Sequence, residues 1–291
     1  MFQGAITAIV TPFDDKGNID EKALRKLVSF QIENNISGIV PCGTTGESPT
    51  LTYEEHNQVI DIVVDEARGR VFVIAGTGSN STDEAIILTE HALKAGAHSS
   101  LQVSPYYNKP TQKGLYEHFI AIAEAVDLPM IIYNIPGRTG INIETDTLLR
   151  MAEHKNIIGV KEASGSISQM MDVLSRRPSG FTVLSGDDNL TLPLMVLGGE
   201  GVISVASNIV PQQVSDLVQR ALQGKWNEAR ECHYLLLPLF KALFIETNPI
   251  PIKTALSMLG MVKEVFRSPL CTMDPENREK LKLVLGKQKI L

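Results

Sequence analysis

Eight short apolar runs, rich in β-branched residues, recur along this 291-residue chain and constrain its fold more than any other feature. The runs lie at residues 5–10, 38–42, 71–76, 100–104, 130–135, 157–162, 182–186 and 201–206. Amphipathic segments separate them: one begins at Asp20, a helix-capping residue type, and another ends at Gly96, as helices often do. Eight strands alternating with helices predict an α/β fold with a parallel sheet, which can close into a (β/α)8 TIM barrel; an open doubly wound sheet is the alternative.

The strand pattern stops after about residue 224, and the remaining sequence is helical in character. Three amphipathic stretches, at 225–245, 251–260 and 276–286, are separated by proline-containing loops. We therefore expect a catalytic barrel over residues 1–224 and a small C-terminal helical domain over residues 225–291.

Composition and charge exclude several classes of function. A formal net charge of −6 argues against a nucleic-acid partner, and no apolar stretch is long enough to cross a bilayer. The first residues lack the basic region of a signal peptide. The cysteines Cys42, Cys232 and Cys271 are too few and too scattered for a disulfide framework, so we expect reduced thiols in a cytoplasmic protein.

The residues that follow the eight runs define the expected chemistry, because barrel active sites lie at the C-terminal ends of the strands. Hydroxyl-bearing and small residues gather there with Lys161 and Arg138, but none of the six histidines does. The sequence has no spaced histidine cluster for zinc, no GxSxG elbow and no GxxxxGK[ST] loop, and "GTGSNS" lacks the third glycine of a dinucleotide site. Asp187 and Asp188 suggest a magnesium site or a structural capping pair; we adopt the second interpretation and predict no metal.

Lys161 ends the apolar run at 157–162, where an unpaired charge would be costly to bury. It is either solvated or paired, for example with Glu162, or it is a desolvated lysine that forms a Schiff base with a carbonyl substrate. Tyr133 ends the preceding run, and its hydroxyl could move protons during dehydration of the carbinolamine. The two residues at neighbouring strand ends favour the Schiff-base interpretation.

Four further residues have two interpretations each. Thr44 and Thr45, in "GTTGES", either hold a substrate carboxylate near a helix start or form a turn that caps the next helix. Arg138 is either a bidentate carboxylate ligand or a surface arginine. Tyr107 is either an aromatic loop plug or a member of a proton relay.

"GTTGE", "YNIPGRTG" and "GVKEASG" resemble, in this order and spacing, the pyruvate-dependent class I aldolases, the family of dihydrodipicolinate synthase and N-acetylneuraminate lyase. "AIVTPF", "AGTGSN", "SPYYNKP", "LSGDD", "GVISV" and "NPIPIK" extend the resemblance to almost the whole chain. It implies a lyase that condenses pyruvate with L-aspartate 4-semialdehyde, the first committed step of lysine and diaminopimelate biosynthesis. No cofactor is implied beyond the covalent imine with pyruvate.

The resemblance also implies roles for individual residues. Lys161 would form the imine, with Tyr133, Thr44 and Tyr107 as a proton relay; Tyr107 would enter the site of a neighbouring subunit, in a homotetramer built as a dimer of dimers. The substrate-binding residues would be Thr45, Arg138, Ile203 and Gly186. Arg138 suits an aldehyde with a free carboxylate, whereas sibling aldolases that act on sialic acids or 2-keto-3-deoxy sugar acids commonly lack it. Those siblings, and a catalytically silent barrel, remain the alternatives.

Some members of the family bind lysine as a feedback inhibitor at the dimer interface. The matching positions are Ser48, Pro49, Leu51, Tyr53, His56, Asn80, Glu84 and Tyr106. Glu84 would pair with the lysine amine and Asn80 would hydrogen-bond its carboxylate. Tyr53 stands where a histidine is common, and Pro49 where a small residue is usual. Because tyrosine carries no positive charge, we expect weak or absent inhibition by lysine.

Overall fold

A computed structural model describes residues 2–291, and the barrel predicted from the apolar runs is confirmed. The described chain contains eight strands: β1 (Gly4–Ala8), β2 (Gly38–Val40), β3 (Phe72–Gly76), β4 (Ser99–Val103), β5 (Met130–Asn134), β6 (Ile157–Glu162), β7 (Thr182–Ser185) and β8 (Gly201–Ser204). Every strand pairs in parallel with the next, and β8 pairs with β1. This closure rules out the open doubly wound sheet.

Helices follow the strands and form the outer layer. The helices are α1 (Glu21–Glu33), α2 (Tyr53–Ala67), α3 (Thr82–Ala95), α4 (Gln112–Ala125), α5 (Pro136–Thr139), α6 (Thr145–Met151), α7 (Ile167–Arg176), α8 (Thr191–Val196), α9 (Pro211–Leu222), α10 (Trp226–Ala242), α11 (Ile250–Met258) and α12 (Pro275–Lys287). The side chain of Asp20 accepts from the N–H of Ala23 and so starts α1. Gly96 ends α3 in the left-handed conformation, which glycine adopts without strain.

The interior of the barrel is filled by side chains rather than open. Its inward layer is the buried cluster Ile6, Ala8, Val40, Ile74, Leu101, Ile131, Tyr133, Leu184 and Ile203. Lys161 pairs in register with Tyr133 on β5 and Leu184 on β7, so it shares their inward direction. Because the lumen below is packed, a ligand that enters the described part of the barrel binds at its mouth rather than inside it.

The C-terminal helices α10, α11 and α12 pack on the outside of the barrel. Their residues Leu239, Leu256 and Leu281 are buried in one cluster with Ile9, which directly follows β1. The predicted boundary at residue 224 falls between α9 and α10. The division into two domains stays a prediction. Within residues 2–291, none of the helices combines the length and the apolar character that a bilayer crossing requires.

Candidate active site

Lys161 and Tyr133 meet at the mouth of the barrel. They are register partners at the ends of β6 and β5, and the Nζ atom of Lys161 lies 4.0 Å from the centroid of the Tyr133 ring. Lys161 is 6% exposed. The carboxylate of Glu162 points to the other face of the strand, where it accepts from the N–H of Ser164 and from the Asn134 side chain. Pairing with Glu162 therefore does not explain Lys161 in the described chain.

Burial lowers the pKa of Lys161 to about 7. The negative charge of Asp188 opposes this shift, while the positive charge of Arg138 adds to it. With a pKa near 7, the amine is uncharged in a large fraction of molecules at neutral pH. An uncharged amine at the mouth of a barrel is a nucleophile for a carbonyl carbon.

Tyr133 has a buried phenol that can act as a proton donor. It is 5% exposed, and burial raises the pKa of its phenol well above the ordinary value. The charge of Arg138 and the side chain of Thr44 act in the opposite direction. The phenol is therefore protonated at neutral pH, next to the amine that would attack the substrate.

Six of the eight predicted catalytic and substrate-binding residues line one small cavity. Its volume is about 40 Å³, roughly the room of three water molecules. The predicted residues on its wall are Thr44, Thr45, Tyr133, Arg138, Lys161 and Gly186. A neighbouring cavity of about 190 Å³ shares Thr44, Tyr133 and Arg138 with it. The arrangement provides a small chamber at the amine and a larger one beside it.

Gly186 leaves room for the lysine side chain. A Cβ atom at this position would lie 3.1 Å from Cε of Lys161 and 2.7 Å from Cβ of Ala163. Contacts this short would force the neighbouring side chains or the backbone to move, and packed protein interiors have little space for such movement. Because Gly186, just after β7, has no side chain, the Lys161 side chain has the space that it occupies.

Thr44 and Thr45 belong to a short 3-10 helix, Thr44–Gly46, that follows β2. The next helix, α2, is capped by Thr52 together with Glu55, so the interpretation of Thr44 and Thr45 as its cap is wrong. The first N–H groups of a helical turn have no partner within it. The buried Thr45 can thus present its amide and its hydroxyl to a carboxylate at the cavity wall.

Arg138 lies on α5, exposed to solvent on one side and lining both cavities on the other. One of its guanidinium nitrogens, Nη2, donates to the backbone oxygen of Asn248 at 3.0 Å. This contact aims the guanidinium across the cavity mouth. The remaining donors are available for a planar carboxylate.

Two predicted residues lie away from the small cavity. Tyr107 is 89% exposed and has a φ of 71°, an uncommon backbone conformation for a large residue. Ile203 packs in the inward layer against β1, and Val205 takes the place on the cavity wall. The roles of Tyr107 and Ile203 in binding or catalysis stay predictions.

The capping interpretation of the two aspartates is confirmed for Asp188. Its side chain is buried, and its Oδ2 atom accepts from the N–H groups of Val205 and Ala206, each at 3.0 Å. It thereby holds the backbone just after β8. Its charge also favours the protonated form of Lys161.

The sequence did not point to the C-terminal residues Phe244 and Asn248, although both line the small cavity. Strand ends indicate only the residues that the barrel contributes to a site, and these two residues come from the helical region after the barrel. The stretch "NPIPIK", which contains Asn248, carries no signal in the sequence beyond the family resemblance.

The predicted lysine-binding positions also come together. Seven of the eight line a third cavity of about 130 Å³: Ser48, Pro49, Leu51, Tyr53, His56, Glu84 and Tyr106. This cavity adjoins the 190 Å³ cavity, with which it shares Ser48, Pro49 and Tyr106. Asn80 lies beside it and donates from its side chain to the backbone oxygen of Tyr106. The Glu84 carboxylate accepts from the Ser79 hydroxyl, and a hydrogen bond to it raises the pKa of Tyr53. The only carboxylate among these eight positions is therefore already hydrogen-bonded.

Comparison with known proteins agrees with this geometry over the full chain. A curated 4-hydroxy-tetrahydrodipicolinate synthase of Hydrogenobaculum sp. (strain Y04AAS1) is 55% identical, with 100% of each chain covered. The same-named enzyme of Syntrophus aciditrophicus (strain SB) is 58% identical, with 98% of each chain covered. The crystal structure of dihydrodipicolinate synthase from Aquifex aeolicus superposes with a TM-score of 0.98 at 53% identity and 99% coverage of both chains.

A family model described as the dihydrodipicolinate synthetase family matches residues 1–288. The match covers the barrel, the cavity at its mouth and the C-terminal helices. The resemblance inferred from the sequence motifs is thereby confirmed. The chain belongs to the dihydrodipicolinate synthetase family.

Proposed function

We propose that this protein is a lyase that condenses pyruvate with L-aspartate 4-semialdehyde to 4-hydroxy-tetrahydrodipicolinate. The observation that carries the proposal is the buried Lys161, whose Nζ lies 4.0 Å from the ring of Tyr133 at the barrel mouth. Relatives of more than 50% identity over the full chain bear the name of this activity. The product would enter lysine and diaminopimelate biosynthesis.

The proposed reaction begins with attack of the neutral Lys161 amine on the keto carbon of pyruvate. Tyr133 donates a proton to the departing hydroxyl, water leaves, and an iminium forms. Loss of a proton from the methyl carbon gives an enamine, whose carbon attacks the aldehyde carbon of the second substrate. The substrate's own amino group then attacks the iminium carbon, which closes the ring and releases Lys161. Pyruvate supplies the electrophile, so we propose no metal and no separate cofactor.

Thr44, Thr45 and Arg138 are the proposed binding and relay groups. The Thr45 amide and hydroxyl would hold the pyruvate carboxylate, while Thr44 would pass protons to and from Tyr133. Arg138, at the junction of the two cavities, would bind the carboxylate of the semialdehyde in a bidentate manner. Gly186, on the wall of the small cavity, and Ile203, in the packed inward layer, carry no charge. They are proposed to affect substrate binding through the shape of the site.

A comparison of aldehydes tests the proposal. Pyruvate would be supplied with L-aspartate 4-semialdehyde, N-acetylmannosamine or glyceraldehyde, and kcat/KM measured for each. The proposal expects the semialdehyde to be preferred by orders of magnitude. A preference for either sugar aldehyde would favour a sibling aldolase, and no turnover with any of them would favour the catalytically silent barrel.

We also propose a homotetramer, built as a dimer of dimers, in the cytoplasm. Tyr107 is almost fully exposed on a backbone in the left-handed region, which suits insertion of its side chain into the site of a second copy. Cys42, Cys232 and Cys271 are unpaired in the described chain, which supports a reducing compartment.

The rate of imine formation should depend on pH through the Lys161 amine. Burial lowers the pKa of Lys161 to about 7, so the nucleophilic form dominates above this pH and is lost below it. We expect the initial rate of pyruvate adduct formation to fall about tenfold for each pH unit well below 7. Borohydride quenching at a series of pH values, with the adduct quantified by mass spectrometry, measures the profile. A midpoint near the ordinary lysine pKa would contradict the assignment.

Lysine should inhibit this enzyme weakly or not at all. In the 130 Å³ cavity the Glu84 carboxylate already accepts from Ser79, and a tyrosine at position 53 offers no positive charge to the carboxylate of lysine. A rate assay with added lysine checks this, and half-inhibition at sub-millimolar lysine would refute it. Tyr53→His is the matched variant and should increase sensitivity.

A further inference from the structure

A buried ion pair between Lys253 and Glu47 lies close to the proposed site but has no part in the proposed reaction. Lys253 is 0% exposed and Glu47 is 2% exposed, with 2.5 Å between Nζ and Oε1. The Lys253 Nζ also lies 4.1 Å from the centroid of the Phe13 ring. Removing two charges from water is costly and is offset only by good geometry and further hydrogen bonds. In some proteins such a pair fixes one particular arrangement of the chain.

The arrangement that it fixes is the turn bearing Thr44 and Thr45. Glu47 directly follows the 3-10 helix, and its N–H donates to the oxygen of Thr44 at 3.2 Å. Its φ of 56° places it in the left-handed region, which a residue with a side chain adopts at a cost. The Thr11 hydroxyl donates to the oxygen of Gly46 at 2.7 Å, on the β1 side of the same turn.

The second oxygen of the Glu47 carboxylate is also held from the C-terminal region. Its Oε2 atom accepts from the N–H of Arg267 at 3.3 Å. The Arg267 side chain in turn donates to both carboxylate oxygens of Glu55, each at 2.6 Å. The turn is thus fixed from outside the barrel by residues that are about 200 positions away in the sequence.

A second contact joins the same two parts of the chain. The Nδ2 atom of Asn248 donates to the Thr45 hydroxyl at 3.0 Å, and the Asn248 backbone oxygen accepts from Arg138 at 3.0 Å. Because the Thr45 oxygen accepts this hydrogen bond, its own proton is free to point at a ligand. Asn248 and Lys253 lie in one segment, residues 248–253, which leads into α11 and forms its first turn.

We propose that the segment 248–253 is a positioning element that holds the turn of residues 44–47 in the shape that binds the pyruvate carboxylate. Lys253 acts through Glu47, and Asn248 acts through Thr45. The inference rests on the proposed function, since it assigns the carboxylate of the first substrate to this turn. It makes the region after the barrel part of the binding site, although Lys253 lines neither of the two cavities at the mouth.

The test is a double variant, Glu47→Gln with Lys253→Met. A single substitution would leave one buried charge without a partner and could prevent folding, whereas the double variant removes both charges and nearly keeps the volume. We expect the variant to fold, with pyruvate KM raised about tenfold or more by misplacement of the turn. We expect kcat to stay close to the wild-type value. An interaction that stabilises the bound substrate and the transition state equally changes KM alone when it is removed.

Arg177→Met with Glu200→Gln is the matched control. This partly buried pair, 2.6 Å apart, lies at the amino ends of β7 and β8, on the face of the barrel opposite the mouth. The control should lower the melting temperature without changing pyruvate KM. A folded Glu47/Lys253 variant with wild-type pyruvate KM would overturn the proposal, and so would a control variant that raises KM equally.

Asn248→Ala provides a second route if the double variant does not fold. It removes the contact to Thr45 and leaves the ion pair in place, so it should also raise pyruvate KM; an unchanged value would overturn the proposal. Formation of the pyruvate adduct by the wild-type enzyme tests the proposed function separately. If the wild type formed no pyruvate adduct, the proposed function itself would fail, whatever the variants did.

Discussion

Replacing Lys161 with alanine is expected to abolish turnover and to remove the borohydride-trapped pyruvate adduct. The amine is the proposed covalent nucleophile, and its neutral form is favoured by burial at the end of β6. Loss of a covalent nucleophile leaves only binding and polar stabilisation, so we expect kcat to fall by roughly four or more orders of magnitude. Steady-state rates and peptide mapping of the trapped adduct measure both effects.

Lys155→Ala is the control for this experiment. Lys155 lies two residues before β6, with a side chain 80% exposed, and its removal should change neither rate nor adduct. The assignment of Lys161 as nucleophile would be refuted if Lys161→Ala kept most of its activity. An adduct that mapped to another lysine in the wild type would refute it as well.

The fold was predictable because local patterns and the global topology agree. Each apolar run became a strand, and boundary differences were small: the run at 130–135 became Met130–Asn134, for example. The predicted helix ends are also found in the structure: Asp20 starts α1 and Gly96 ends α3. What the pattern could not decide was closure, since an open sheet has the same alternation. Closure depends on β8 pairing with β1, a contact across nearly the whole barrel sequence.

The site was predictable where it depends on strand ends. Period-2 alternation and strand order predict Lys161 and Tyr133 at neighbouring strand ends, and the register of the structure pairs them directly. The same reasoning misses Asn248, because no strand precedes it, and its contact to Thr45 spans 203 residues. The contact between Lys253 and Glu47 spans 206 residues and could not be predicted from the sequence either. Long-range packing of polar side chains leaves no periodic trace in a single sequence.

Tyr133→Phe is expected to give the second largest loss of activity, by about two to four orders of magnitude in kcat. The substitution removes one hydroxyl and keeps the ring that lies 4.0 Å from the Lys161 Nζ. The nucleophile therefore stays buried, but the proton donor for loss of water from the carbinolamine is gone. We expect the pyruvate adduct still to form, at a much lower rate, in a time course quenched with borohydride.

Tyr116→Phe is the matched control, since Tyr116 lies on α4, outside the barrel mouth, and its ring contacts Arg150. This variant should have wild-type kinetics. A Tyr133→Phe enzyme with an unchanged rate of adduct formation but low kcat would move the role of the hydroxyl to a later step, such as protonation of the aldehyde oxygen. Unchanged kcat and unchanged adduct formation together would remove Tyr133 from the mechanism.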